Sequence, residues 1–296
     1  MSYRTNKFVK RHTFVAPKDA PDFTLFLLTY NHEDTIRETF EGILRQKTQY
    51  KFIVKILEDC STDNTLAICK EYVEKYPDMF KLIAQPTNTR CAHIKPAMIN
   101  EIKTQYWAFI EGDDYHIADN FFETAITFLK QNPEYNMFAG NFYCKGEKET
   151  ILAHENMDGS GHDISINNYL YSQTSARVYR NILDFANMPN YPFDADIYLY
   201  WLYLDCGRSY FYHTPVSVYR TSMTGMWTRL TKPQKRLEMR KVTMMGYRFF
   251  GFKYANYFMD IYPKRTMKRL RRVFGTKITL FIAVIYEFIK REAWPK

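Results

Sequence analysis

Three carboxylates stand almost side by side at Glu111, Asp113 and Asp114, directly after the apolar run 106–110. Such groups repel one another and hold each other's pKa up, so a strand that carries all three to its tip builds a place for a cation. Hard oxygen ligands suit Mg²⁺ or Mn²⁺, and these ions commonly reach a protein through one or two carboxylates plus the phosphates of a substrate. A metal-bound diphosphate is the first chemistry the cluster suggests. An acidic turn ahead of a helix opened by Asp119 and Asn120 is the alternative.

The elements that must position this cluster are legible from periodicity. Residues 23–28 read as a buried strand, and Ile36, Phe40, Ile43 and Leu44 have the spacing of one helical face. Residues 52–57 give a second strand, and Leu66, Cys69, Tyr72, Val73 and Tyr76 mark a second helix. A short strand is expected at 81–84, a helix at 94–102, the strand 106–110, and a helix at 121–129. Strands alternating with helices imply βαβ units and a mostly parallel sheet, whose ligands bind beyond the C-terminal strand ends. Polar residues gather at those ends: Tyr30, Asn31 and His32 after the first strand, and Glu58, Asp59, Cys60, Ser61, Thr62 and Asp63 after the second. Ser61, Thr62 or Asp63 serves equally well as a helix cap. Residues 141–166 read as a polar, mobile loop. A strand is expected at 173–179, a helix at 194–204, and two strands at 209–212 and 216–219.

The whole chain sets outer bounds. Its 296 residues suffice for one α/β domain with an appendage, and 24 Tyr and 23 Phe supply an aromatic interior and stacking surfaces. Five scattered cysteines form no C-x-x-C pair or zinc spacing, so they are expected reduced. The first 21 residues lack the apolar stretch of a signal peptide, which makes a cytoplasmic protein the default. Charge is divided: residues 229–296 hold 18 Lys and Arg against four acids, whereas the preceding 228 hold 23 against 28. The basic tail carries the apolar run 278–289, interrupted by Glu287 and too short to span a bilayer. It reads equally as an in-plane helix beside anionic headgroups, giving peripheral membrane contact through 264–291, or as a packed helix with a solvated basic face. No zinc finger, RNP-like run or helix-turn-helix accompanies it, so nucleic acid is not expected as a partner.

Taken in order, LLTYNHEDTIRETFEGILRQ, ILEDCSTDNTLAI, YWAFIEGDDY, DIYLYWLYLDCG and VYRTSMTGMW resemble glycosyltransferase family 2, whose members have the GT-A fold. The resemblance covers about residues 25–227. It implies an α/β GT-A domain at 1–227, with a Rossmann-like, mostly parallel central sheet flanked by helices and an N-terminal arm at 1–22. Residues 228–296 form a basic, aromatic, helical extension that it does not explain. Carried onto this chain, it implies that Tyr30 and Asp59 hold the nucleobase, Glu111 the ribose, and Asp113 with Asp114 a Mn²⁺ or Mg²⁺ ion. Asp196 aligns with the catalytic base, and Asp194 is the runner-up. Two departures stand out: Ser222 occupies a position where related members carry His, and Asp194, Ala195, Asp196 replaces the usual Glu-Asp pair. Arg220, or a residue of the basic tail, is the candidate to compensate for the missing His at the nucleotide sugar. The implied activity is inverting transfer of a sugar, UDP-linked by expectation, to a glycan or lipid-linked glycan of the bacterial surface. A sugar nucleotidyltransferase would want a Gly-rich triphosphate loop that TYNHEDT lacks. A catalytically idle nucleotide-sugar-binding or membrane-scaffold protein is the third reading.

Overall fold

The computed structural model describes residues 10–89, 102–166, 168, 170–184, 195–221, 230–255 and 265–290. The chain divides into two compact units, the boundary falling between Thr221 and Ser222. The expected helix at 94–102 lies almost wholly outside the described residues.

In the first unit, β1 (Lys10–Arg11) pairs with β11 (Leu183–Asp184) in a small antiparallel ribbon. The main sheet is built from β2 (Phe23–Thr29), β3 (Phe52–Glu58), β4 (Phe80–Ala84), β5 (Tyr106–Glu111), β6 (Tyr115–His116), β7 (Tyr135–Lys145), β10 (Arg177–Arg180) and β12 (Arg208–Arg220). Its order is β4-β3-β2-β5-β10-β7-β12-β6, with β8 (Thr150–Leu152) on β7 and β9 (Gly161–Ile164) on β12. The β4-β3-β2-β5 half is parallel, as the alternation of strands and helices requires; β10 is antiparallel to both neighbours, and β12 runs parallel to β7.

Every residue of β2 is buried, because both faces of the sheet are covered. Phe23, Leu25 and Leu27 meet Ile36, Phe40 and Ile43 of α1 (Ile36–Leu44), Ile68 and Tyr72 of α2 (Thr65–Lys75) and Phe122 of α3 (Phe121–Gln131). On the other face Phe26 meets Trp107 and Phe109, and Trp107 stacks on Tyr179 with centroids 4.6 Å apart. Helix α4 (Ala195–Cys206) is buried at every position from Tyr198 to Leu204, a helix apolar all round as a core helix must be.

Residues 141–166 are not the loop expected from their polarity. β7 runs on to Lys145, and β8 and β9 lie within the remainder, with 153–160 between them free of regular structure. The polar residues mislead because their groups are satisfied inside: buried Asn141 donates to the carbonyls of His154 (2.8 Å) and His213 (3.1 Å). Gly140 makes room for Val216, one methyl of which lies 2.5 Å from where a Cβ would stand. The expected strand at 173–179 is also corrected. A 3₁₀ turn (Thr174–Ala176) precedes a shorter β10. The strands expected at 209–212 and 216–219 are one strand, β12, with register shifts around Pro215, where the missing N–H breaks the ladder.

The second unit contains α5 (Lys232–Phe250) and α6 (Arg265–Lys290). A capping box of Thr231 and Gln234 opens α5, and α6 is broken at Gly275, whose φ of 74° no helix contains. Met244 and Met245 of α5 and Leu280, Ala283 and Val284 of α6 are buried, and the two helices pack on each other. Among the described residues no helix is long and apolar enough to cross a membrane.

Candidate active site

The sheet register brings three strand ends to one level. Thr29 of β2 is opposite Glu58 of β3, and Leu28 is opposite Glu111 of β5. Tyr30, Asp59 and the acidic loop therefore leave the sheet side by side. Tyr30 is 37% exposed, whereas Asp59 is buried, its Oδ1 accepting from the backbone N–H and the hydroxyl of Thr89, each at 2.8 Å. The two loops are tied together: Asn31 N–H donates to Ser61 Oγ (3.0 Å), and Thr62 N–H donates to Asn31 Oδ1 (2.8 Å). The N-cap of α2 is Asn64, and Asp63, one residue before it, accepts from the backbone of Thr65 (2.9 Å) and of Glu33 (3.2 Å).

Cys60 sits between Asp59 and Ser61 with φ of 61°, in the left-handed region that disfavours a side chain. Cys60→Gly removes that cost at the expense of a more flexible unfolded chain. A net stabilisation of about 0.5–1 kcal/mol is expected, read as a higher urea midpoint at unchanged slope.

The acidic loop divides its carboxylates by task. One oxygen from each of Glu111, Asp113 and Asp114 lies within 4.8 Å of the others. Asp114 is fully buried and already bonded at both oxygens: Oδ2 accepts from the Gln173 amide and from Ser175 Oγ (3.0 Å), Oδ1 from the backbone N–H of Arg220 (3.1 Å). Burial, then the charges of Asp113 and Glu111, push its carboxyl well above the ordinary range. Asp113 differs. Its Oδ1 is buried with no hydrogen-bond partner among the described residues, and burial raises its carboxyl while Arg220 opposes the rise. An orphaned buried carboxylate oxygen beside two further carboxylates is the donor set a hard divalent cation fits.

The loop is held from below by α1. Thr35 Oγ1 donates to the carbonyl of Gly112 (2.9 Å), and Thr39 Oγ1 lies 2.6 Å from the carbonyl of Asp114 and 3.1 Å from that of Gly112. A Cβ on Gly112 would stand 2.6 Å from His32 Nδ1, 2.7 Å from Thr29 Oγ1 and 2.8 Å from Ile36 Cδ1. Burial lowers the pKa of His32, against the pull of Glu111 and Asp63, so the packed ring is neutral at pH 7. From the side, Arg220 donates to the carbonyl of Asp113 (2.6 Å), pairs with Glu38 of α1, and lies over the Tyr115 ring at 4.5 Å.

Helix α4 supplies the remaining wall. Tyr203 Oη donates to the carbonyl of Arg180 (2.8 Å), which is opposite Tyr106 at the start of β5. One turn earlier, Tyr200 Oη donates to the carbonyl of Leu170 (2.6 Å) and its ring covers Arg177 at 4.1 Å. The first turn of α4, which includes Asp196, therefore lies toward the strand tips. The side chain of Asp196, and Asp194, Ser222 and Trp227 entirely, lie outside the described residues.

Sequence reasoning missed Gln173 and Ser175, which hold Asp114, and Thr35 and Thr39, which hold the loop backbone. Polar residues at 173, 175 and 177 ahead of the apolar Val178 and Tyr179, and two threonines four apart at the start of α1, were the available signals.

The family model described as glycosyl transferase family 2 matches residues 24–198, and the chain belongs to that family. An uncharacterized protein of Mycobacterium tuberculosis is 27% identical over 206 residues, 68% of this chain and 59% of that protein, so the chain spans about three fifths of that relative's length. Among solved structures, S. aureus TarS 1-349 in complex with UDP superposes with a TM-score of 0.57 at 17% identity, covering 91% of this chain and 92% of that one. The mannosyltransferase PcManGT from Pyrobaculum calidifontis, in complex with GDP-Man and Mn²⁺, gives a TM-score of 0.58 at 13% identity, covering 94% and 90%. At those identities the likeness is one of fold, and the fold is GT-A.

Proposed function

We propose that the chain is an inverting glycosyltransferase that moves a sugar from a nucleoside-diphosphate sugar, UDP-linked, to a hydroxyl of a bacterial surface glycan or its lipid-linked precursor. The observation that carries this is the orphaned Asp113 oxygen within the three-carboxylate tip. The UDP and the GDP-Man with Mn²⁺ held by the two structural neighbours support a nucleotide sugar and a cation at that tip.

Tyr30 and Asp59 flank the nucleobase, and Glu111 reaches the ribose. Asp113 holds Mn²⁺ or Mg²⁺. Asp114, saturated by protein donors, serves by bracing the loop. The ion, when bound, offsets charge building on the departing nucleoside diphosphate. Arg220 fixes Asp113 through its carbonyl, and in this reading it offsets the absence of a His at position 222. Asp196, with Asp194 as runner-up, takes the proton of the acceptor hydroxyl as its oxygen attacks the anomeric carbon from the face opposite the diphosphate, which inverts the configuration.

A panel of nucleotide sugars with Mn²⁺ or EDTA tests this through release of nucleoside diphosphate by slow hydrolysis. Release from one donor, abolished by EDTA, is expected. Release that survives EDTA overturns the metal assignment, and neither release nor binding with any donor overturns the reading.

Peripheral contact with the cytoplasmic face of the membrane belongs to the same reading. On α6, Ile278, Phe281 and Ile285 are 54%, 50% and 42% exposed, opposite the buried Leu280, Ala283 and Val284, in a tail rich in Lys and Arg. The full chain should co-sediment with phosphatidylglycerol vesicles and not with phosphatidylcholine. Replacing Ile278, Phe281 and Ile285 by Asp should abolish this while leaving donor hydrolysis unchanged.

A further inference from the structure

We infer that the ring of Tyr171 is the platform on which the acceptor, a pyranose sugar, stacks; the assignment rests on the glycosyltransferase reading above. An acceptor has to present its hydroxyl between the first turn of α4 and the diphosphate beside Asp113. One short segment, 170–175, bridges those two places. At one end, the carbonyl of Leu170 accepts from Tyr200 Oη, one helical turn beyond Asp196. At the other, the Gln173 amide and the Ser175 hydroxyl are bonded to Asp114.

Between these anchors Tyr171 and Ser172 are tied down. The carbonyl of Tyr171 accepts from His154 Nε2 (2.6 Å), Ser172 Oγ donates to the carbonyl of Gly140 (2.8 Å), and the carbonyl of Ser172 accepts from Arg177 Nε (2.8 Å). Ser172, Gln173, Thr174 and Ser175 are all buried, yet Tyr171 is 43% exposed. The other exposed large apolar side chains described in the first unit, Val15, Tyr30, Ile83 and Ile151, stand on other segments.

The ring is also backed. The Arg177 guanidinium lies 5.5 Å from its centroid, and Phe142 meets it edge-on at 6.1 Å and 75°. A tyrosine held this way gives a large amphipathic surface at little further entropic cost. The face of a pyranose that carries axial C–H groups is weakly electropositive, and it packs on the electron-rich face of an aromatic ring while its hydroxyls stay at the edge. Such a platform selects a ring-shaped sugar over a flexible polyol chain and leaves the attacking hydroxyl free to turn toward Asp196.

The test is saturation-transfer NMR on the full chain with UDP and Mn²⁺, using a panel of methyl pyranosides and glycerol as the flexible polyol. The parent and Tyr171→Phe should bind one or more pyranosides and not glycerol. Tyr171→Ala should bind them roughly tenfold more weakly, with UDP affinity equal in all three proteins. Equal pyranoside binding by Tyr171→Ala, or no pyranoside binding by a parent that does bind UDP, overturns the platform and leaves the donor site standing. A parent that binds no nucleoside diphosphate, UDP or GDP, overturns the glycosyltransferase reading and this assignment with it.

Discussion

Asp113→Asn should lower turnover by on the order of a thousandfold, because the stabilisation a divalent ion gives a leaving group is worth several kcal/mol. Asp114→Asn should keep metal binding within a few fold of the parent. The neighbouring carboxylates differ in what already occupies their oxygens. Asp113 Oδ1 has no partner among the described residues, whereas Asp114 accepts from Gln173, Ser175 and the Arg220 backbone. An amide at 114 can be absorbed there. Gln173 Oε1 is itself buried without a partner, so a flip of the Gln173 amide offers an acceptor to the new NH₂, and the Ser175 hydroxyl can rotate. Both carboxyls are raised in the folded chain, so their ionisation opposes folding, and metal-free stability falls as pH rises above the ordinary Asp value. Either Asn removes one repelling charge, and neither variant should melt below the metal-free parent. The separation appears on adding Mn²⁺: the melting temperature should rise for the parent and for Asp114→Asn, and stay put for Asp113→Asn. A rise in Asp113→Asn equal to the parent's would remove Asp113 as the ligand.

The parallel half of the sheet was legible because its signals are local. β2, β3 and β5 are short apolar runs ending in polar clusters, and α1, α2 and α3 show one-sided spacing in a few turns each. The candidate site residues at those strand ends could be placed for the same reason. What escaped depends on pairings distant in sequence. Asn141 looks like loop chemistry until the carbonyls of His154 and His213 are seen to satisfy it, and Gly140 looks like a turn until Val216 fills its place. Asp114 reads as a second candidate ligand because it stands beside Asp113 in sequence. The partners that occupy it come from 173, 175 and 220, and no spacing along the chain announces them. Tyr171 was invisible in the same way, since an exposed tyrosine carries no pattern of its own.

Gly112→Ala should damage fold and site together, and it is the sharpest test of how the loop is held. The methyl would enter a space bounded by His32 Nδ1, Thr29 Oγ1 and Ile36 Cδ1, each closer than 3 Å. None of the three can step aside cheaply. His32 and Thr29 share a hydrogen bond of 3.2 Å, and Ile36 is fully buried in the core under α1. Overpacking of this kind costs about 1–3 kcal/mol, which for a chain of this size is a fall of roughly 2–5 °C in melting temperature. The loop is the softer partner, but its carbonyls are bonded to Thr35, Thr39 and Arg220, so moving it breaks several bonds at once. A displacement of about 1 Å at Asp113 is enough to cost about a hundredfold in turnover. Ile36→Val in the same chain removes one of the three contacts and should recover part of the melting temperature. It should recover less of the activity, because His32 and Thr29 still press on the loop. Parent-like activity in Gly112→Ala would mean that the loop is free to move, and that the threonine anchors of α1 do not set the position of Asp113.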